Sequence, residues 1–120
     1  MKIRAIDFVV LKVSDVERSA AYYRDTLGLD FPMIEDGPVW KEFDTPPVAM
    51  ALLRDRSDPA GNALIALAVE DVAGAVEELR GKGVKVVMEG IESPVCYQAV
   101  IEDPDGNTLL LHQRKDGTAG

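Results

Sequence analysis

A chain of 120 residues suits one domain, or two short repeated halves sharing a core, and can bury roughly two-thirds of its unfolded surface without a disulfide or structural metal. Its hydrophobic share of 47% and charged share of 28% are those of an ordinary globular protein, and no apolar run approaches the roughly 20 residues of a membrane helix, so no membrane partner is expected. The formal charge of −8 repels phosphate backbones and argues against nucleic acid; it reads as a solubility device or, more sharply, as an acidic cleft for a cationic ligand.

The opening, Met1-Lys2-Ile3-Arg4-Ala5-Ile6-Asp7, has a basic pair, but Asp7 interrupts the apolar stretch and no signal-peptide cleavage pattern follows. It reads as the start of a first strand. Phe8-Val9-Val10-Leu11-Lys12-Val13-Ser14-Asp15-Val16 is then repeated, at one constant offset, by Leu64-Ile65-Ala66-Leu67-Ala68-Val69-Glu70-Asp71-Val72. Leu11, Val13, Asp15 and Val16 match Leu67, Val69, Asp71 and Val72. Each copy is an apolar run of strand length ending at an acidic residue suited to cap a helix, Asp15 or Asp71. Ser14-Asp15-Val16-Glu17 also fits a capping box. The helices that follow place Val16, Ala20, Tyr23 and Leu27 on one face, and Val72, Val76 and Leu79 on another. Gly28 stops the first helix, and Gly81 or Gly83 the second.

After each helix the pattern changes to extended runs divided by turns. The first half has Leu29 to Ile34, Val39 to Phe43 and Val48 to Leu53. The second has Val84 to Met88, Val95 to Glu102 and Thr108 to Gln113, with turns at Glu89 to Pro94 and at Asp103-Pro104-Asp105-Gly106-Asn107. Each half is therefore β-α-β-β-β. The fold class expected is α+β, two βαβββ modules pairing into a curved eight-stranded sheet with the helices outside. Module one spans about 3–54 and module two about 63–114, in a single domain covering 1–120. Arg54 to Asn62 is a polar connector, and 115–120 reads as a flexible tail.

Asp7 to Asp15, followed by Ala21-Tyr22-Tyr23-Arg24-Asp25-Thr26-Leu27-Gly28-Leu29, resembles the opening of vicinal-oxygen-chelate domains, the glyoxalase/bleomycin resistance/extradiol dioxygenase superfamily. Asp103-Pro104-Asp105-Gly106-Asn107-Thr108-Leu109-Leu110-Leu111 resembles its closing strand. The resemblance covers the whole chain, in order and spacing. It implies a cup around the active site, and members that include glyoxalase I, extradiol dioxygenases, fosfomycin-modifying enzymes and antibiotic-binding resistance proteins. Fold cannot choose among them; the site must.

The resemblance implies a divalent metal held by His, Gln and Glu from cup-facing strands. Those positions fall on Phe8, Leu64 and Leu110, with a fourth near Ala51, and all four are apolar. Independently, the chain has one histidine and one cysteine, whereas a tight transition-metal site wants several imidazoles or thiolates. No metal and no cofactor are therefore expected, and without a Lewis acid the usual chemistry of the family is disfavoured.

Strand alternation carries the cup lining further. If Leu110 faces inward, so do Thr108 and His112, while Leu109 and Leu111 pack on a helix. Across the hairpin, Cys96, Gln98 and Val100 turn inward. Phe8, Val10, Leu64 and Ala66 join them, giving an apolar cup with a few polar groups, the usual constitution of a small-molecule pocket. His112 reads as a general base or ligand partner, or as a structural histidine near a strand end. Cys96 reads as a nucleophile activated by His112, or as a small buried hydrophobe. Trp40 reads as a stacking wall for a planar or cationic ligand, or as core. Tyr22 and Tyr23 read as packing groups.

The leading expectation is a metal-free binder of a small, partly apolar molecule such as a drug. The alternatives are an enzyme, a glyoxalase-like lyase or isomerase or a dioxygenase relative, using His112 and Cys96 or an atypical metal site, and a mainly dimerising or regulatory domain. The resemblance implies a homodimer. A single cysteine, which permits no intrachain disulfide, fits a reducing, cytoplasmic setting.

Overall fold

The computed structural model describes residues 1–57, 61 and 63–120. Residues 58–60 and 62 of the expected polar connector lie outside the described residues. The chain forms two compact units, one of Phe8–Ala63 and one of Met1–Asp7 with Leu64–Gly120. Among the described residues no helix is long and apolar enough to cross a membrane.

Module one runs β1 (Ala5–Val13), α1 (Val16–Ala21), a π-helical turn (Tyr22–Thr26), β2 (Met33–Asp36), β3 (Trp40–Phe43) and β4 (Ala49–Arg54). Its strands lie in the order β2-β3-β4-β1, with β1 parallel to β4 and the other pairs antiparallel. Asp15 caps α1, its Oδ1 accepting the Arg18 amide at 3.1 Å. The expected Ser14–Glu17 capping box gives way to a cap one residue later, at Asp15, and Glu17 pairs with Lys41 Nζ at 3.0 Å. Val16 and Ala20 are buried with Phe43 and Leu52, and Leu11, Val13 and Tyr23 pack on that cluster. The expected helical face stops there. The π turn adds an extra residue to its repeat, which rotates Leu27 out to 59% exposure instead of continuing the stripe.

Module two runs β5 (Leu64–Ala68), α2 (Val72–Gly81), β6 (Val86–Glu92), β7 (Cys96–Glu102) and β8 (Thr108–Arg114). Its order is β5-β8-β7-β6, with β5 parallel to β8 and the others antiparallel. Val72, Val76 and Leu79 share one buried cluster with Ala99, Ile101 and Leu111, the helical stripe expected from their spacing. Asp71 holds the N-cap position without a side-chain cap bond; the Val72 amide instead donates to Gln113 Oε1 at 2.9 Å. Of the two candidate helix stops, Gly83 takes the positive φ of 81°.

The expected turn over Glu89 to Pro94 is strand as far as Glu92. Gly90 adopts φ 71°, a conformation that L side chains rarely adopt, and the β6–β7 register shifts between Met88 and Ile91. This bulge absorbs a residue and lets β6 continue to Glu92.

Candidate functional site

In each module the sheet has one face under its helix and one turned away from it. The β7–β8 register pairs Cys96 with Arg114, Gln98 with His112, and Val100 with Leu110. The intervening residues Ala99, Ile101, Leu109 and Leu111 pack with α2. Alternation therefore sets Cys96, Gln98, Val100, Leu110 and His112 on the face away from α2. In β5, Ala66 and Ala68 pair with Leu110 and His112 and share that face, as does Leu64 by alternation. In module one, Leu11 and Val13 pack with α1, so Phe8 and Val10 turn the other way, beside their β4 partners Ala49 and Ala51. Trp40 reaches this face from β3. Its indole meets Phe8 edge-on, ring centroids 5.6 Å apart and planes at 84°.

The apolar character of these faces is marked. Phe8, Val10, Ala51, Ala66, Cys96, Val100 and Leu110 are buried or half-buried. The four positions at which the resemblance implies metal ligands, Phe8, Ala51, Leu64 and Leu110, carry no nitrogen, oxygen or sulfur in their side chains. Such a donor set does not fit a divalent cation. Among the described residues, no three His, Cys, Asp or Glu side chains cluster to hold one.

Three polar features interrupt the hydrocarbon. The first is built on His112. Its Nδ1 lies 2.6 Å from Asp7 Oδ2, and both side chains are almost fully buried. Where the carboxylate accepts, Nδ1 carries the hydrogen and Nε2 of a neutral ring is left as the acceptor. Asp7 Oδ1 accepts the Gly120 amide at 2.6 Å, and Arg114 Nη2 stands 3.5 Å from the same oxygen. The sequence pointed to His112 but not to its partner. Asp7 was visible only as an acidic residue breaking an apolar strand.

The second is Cys96, buried, with Ser93 Oγ at 3.1 Å and Gln98 Nε2 donating to its sulfur at 3.4 Å. Ser93 Oγ also accepts the Val95 and Cys96 amides, closing the turn before β7. Among the described contacts, none joins Cys96 to His112, as direct activation of the thiol would require.

The third is Glu42, 8% exposed, whose Oε1 accepts the Trp40 indole N–H at 3.2 Å. It pairs with Ala51 in the β3–β4 register and so shares the face of Phe8 and Val10. The alternation from Trp40 to Glu42 was the signal that could have found it.

Charges elsewhere serve packing. Lys41, on the α1 side of β3, is 4% exposed and binds Glu17 and Asp36. Hydrogen bonding to Asp36, then to Glu17, raises the Lys41 pKa above its usual value. Lys115 sits 4.9 Å over the Tyr97 ring and 2.5 Å from Glu92 Oε2; its hydrogen bond to Glu92 raises its pKa.

The model of the Glyoxalase/Bleomycin resistance protein/Dioxygenase superfamily matches residues 5–111. The lactoylglutathione lyase of Salmonella typhimurium is 30% identical, over 92% of this chain and 93% of that relative. Among solved structures, methylmalonyl-CoA epimerase from Mycobacterium tuberculosis superposes with a TM-score of 0.72 at 17% identity, covering 92% of this chain and 88% of that one. A superfamily member from Vibrio splendidus 12B01 gives 0.64 at 16% identity, covering 89% and 96%. At such identities the structural likeness shows the fold alone, and it is the paired βαβββ fold expected from the repeat.

Proposed function

Since the chain belongs to the glyoxalase/bleomycin resistance protein/dioxygenase superfamily, we propose that it is a metal-independent member that binds a small, partly apolar molecule, in the manner of a sequestering protein. One observation carries this reading: hydrocarbon side chains, Phe8, Ala51, Leu64 and Leu110, stand where the family resemblance implies metal donors. In module one a hydrocarbon face carries Trp40, and in module two another carries Gln98, Cys96 and His112; each offers apolar burial with a few directional polar contacts, the usual means of small-molecule recognition. Phe8, Val10 and Ala51 in module one, and Leu64, Val100 and Leu110 in module two, supply the apolar contacts. The homodimer that the resemblance implies, the single domain and a reducing cytoplasmic setting belong to the same proposal.

The test is a thermal-shift screen of small, partly apolar compounds, cationic ones included, with and without EDTA. A binder raises the melting temperature by mass action, equally in both conditions. A shift that disappears with EDTA contradicts metal independence.

A second reading is favoured by the 2.6 Å contact between Asp7 and His112. A carboxylate that fixes the imidazole tautomer is what a general base needs. Together with the similarity to a lactoylglutathione lyase, it supports a metal-free lyase or isomerase in which His112 moves a proton through Nε2 and Asp7 positions it. Proton–deuteron exchange at an acidic carbon of a bound ligand, lost in His112→Gln, is the result that reading predicts.

A further inference from the structure

We propose that residues 116–120 are a latch on the Asp7–His112 pair, whose docking holds the Asp7 carboxylate in place and thereby fixes the proton on His112 Nδ1. Asp7 is 2% exposed; one of its oxygens faces the imidazole, and the other faces the Gly120 amide and, at 3.5 Å, Arg114 Nη2. Oδ2 faces His112 Nδ1 and Oδ1 accepts the Gly120 amide, each at 2.6 Å. A carboxylate so removed from water keeps its charge and orientation only while donors surround it. Gly120 supplies the donor that pins the oxygen turned away from the imidazole.

The remainder of the latch is held differently. The Arg4 guanidinium donates to the Gly117 carbonyl at 3.2 Å, and Arg114 Nη1 donates to Thr118 Oγ1 at 3.4 Å. Asp116 Oδ1 accepts both the Thr118 amide at 2.9 Å and the Thr118 hydroxyl at 2.7 Å. These anchors are exposed, and no residue of the segment belongs to the described core clusters around Leu111 and around Phe43. Apart from the part-buried Gly120–Asp7 bond, the segment is held by exposed polar contacts, and such a segment opens at far less cost than the core. Opening it replaces the Gly120 amide with water and leaves Oδ1 with only the longer Arg114 contact of 3.5 Å, so the Asp7 carboxylate is held less firmly. The charged and titratable groups that face the pair or anchor the latch are Arg4, Arg114 and Asp116.

The inference does not depend on whether the neighbouring face binds passively or transfers a proton. It is tested on the imidazole itself, and the single histidine of the chain makes its signals unambiguous. Nitrogen-15 NMR of the full chain is expected to show the Nδ1–H tautomer, with that proton exchanging slowly with water. Two variants release the latch: the chain ended after Lys115, and full-length Asp116→Ala, which keeps Gly120 but loses the Thr118 staple. In both, Nδ1-proton exchange is expected to accelerate, by about tenfold or more in the shortened chain, while amide spectra show the core unchanged. Wild-type exchange rates in both folded variants, or an Nε2–H tautomer in the full chain, would overturn the proposal.

Discussion

Asp7 Oδ2 and His112 Nδ1 lie 2.6 Å apart although 105 residues separate them in the chain. Both side chains are almost fully withdrawn from solvent. Removing either therefore leaves the other buried with one hydrogen bond fewer. Asp7→Ala is expected to cost about 2–3 kcal/mol, from the loss of a hydrogen bond to a charged group. Urea unfolding checks it. In a double-mutant cycle with His112→Ala, the double variant should lose clearly less than the sum of the two. Strict additivity would mean that the contact contributes nothing.

Lys41 gives the molecule an alkaline limit. Its pKa is raised in the folded state by Asp36 and Glu17. A cation so stabilised contributes fully below its unfolded pKa of about 10.4, and its contribution is lost as pH rises through the higher folded value. Stability should therefore fall above about pH 10, and fall less steeply in Lys41→Met. Melting temperatures from pH 7 to 11 test this; identical slopes for the two proteins contradict it.

Leu111 is fully buried between β8 and α2. Leu111→Ala should cost about 2–5 kcal/mol through lost burial and the cavity left behind. Denaturant midpoints measure it, and a cost below about 1 kcal/mol would deny Leu111 a central place in that core.

Cys96 is 7% exposed, and its polar neighbours are Ser93 and Gln98. Iodoacetamide at neutral pH is expected to alkylate it more slowly than free cysteine, since burial limits access. Faster alkylation would favour the nucleophile reading over the buried-hydrophobe one.

Much of this was legible from pattern alone. The repeat gave two βαβββ modules, and the alternation Leu109/Leu111 against Leu110/His112 gave the helix-facing side of β8. Both follow from short-range periodicity, which the chain carries in its own spacing. The π turn that exposes Leu27 was not legible, because Tyr22 to Leu27 keeps a helical pattern whichever repeat the backbone adopts. The strand through Gly90 was hidden because glycine among acidic residues reads equally as a turn or a bulge. The Asp7–His112 contact depends on long-range packing, which no local pattern encodes. Glu42 was within reach, one alternation step from Trp40, but a glutamate in a strand reads first as a solvated side chain.

Elemental analysis of protein purified without chelator, followed by titration with Zn²⁺ and Ni²⁺, probes the apolar positions Phe8, Ala51, Leu64 and Leu110 most directly. Far less than one equivalent of transition metal per chain is expected, and a melting temperature that neither cation raises. One tightly held equivalent, whose removal by chelator lowers the melting temperature, would contradict it.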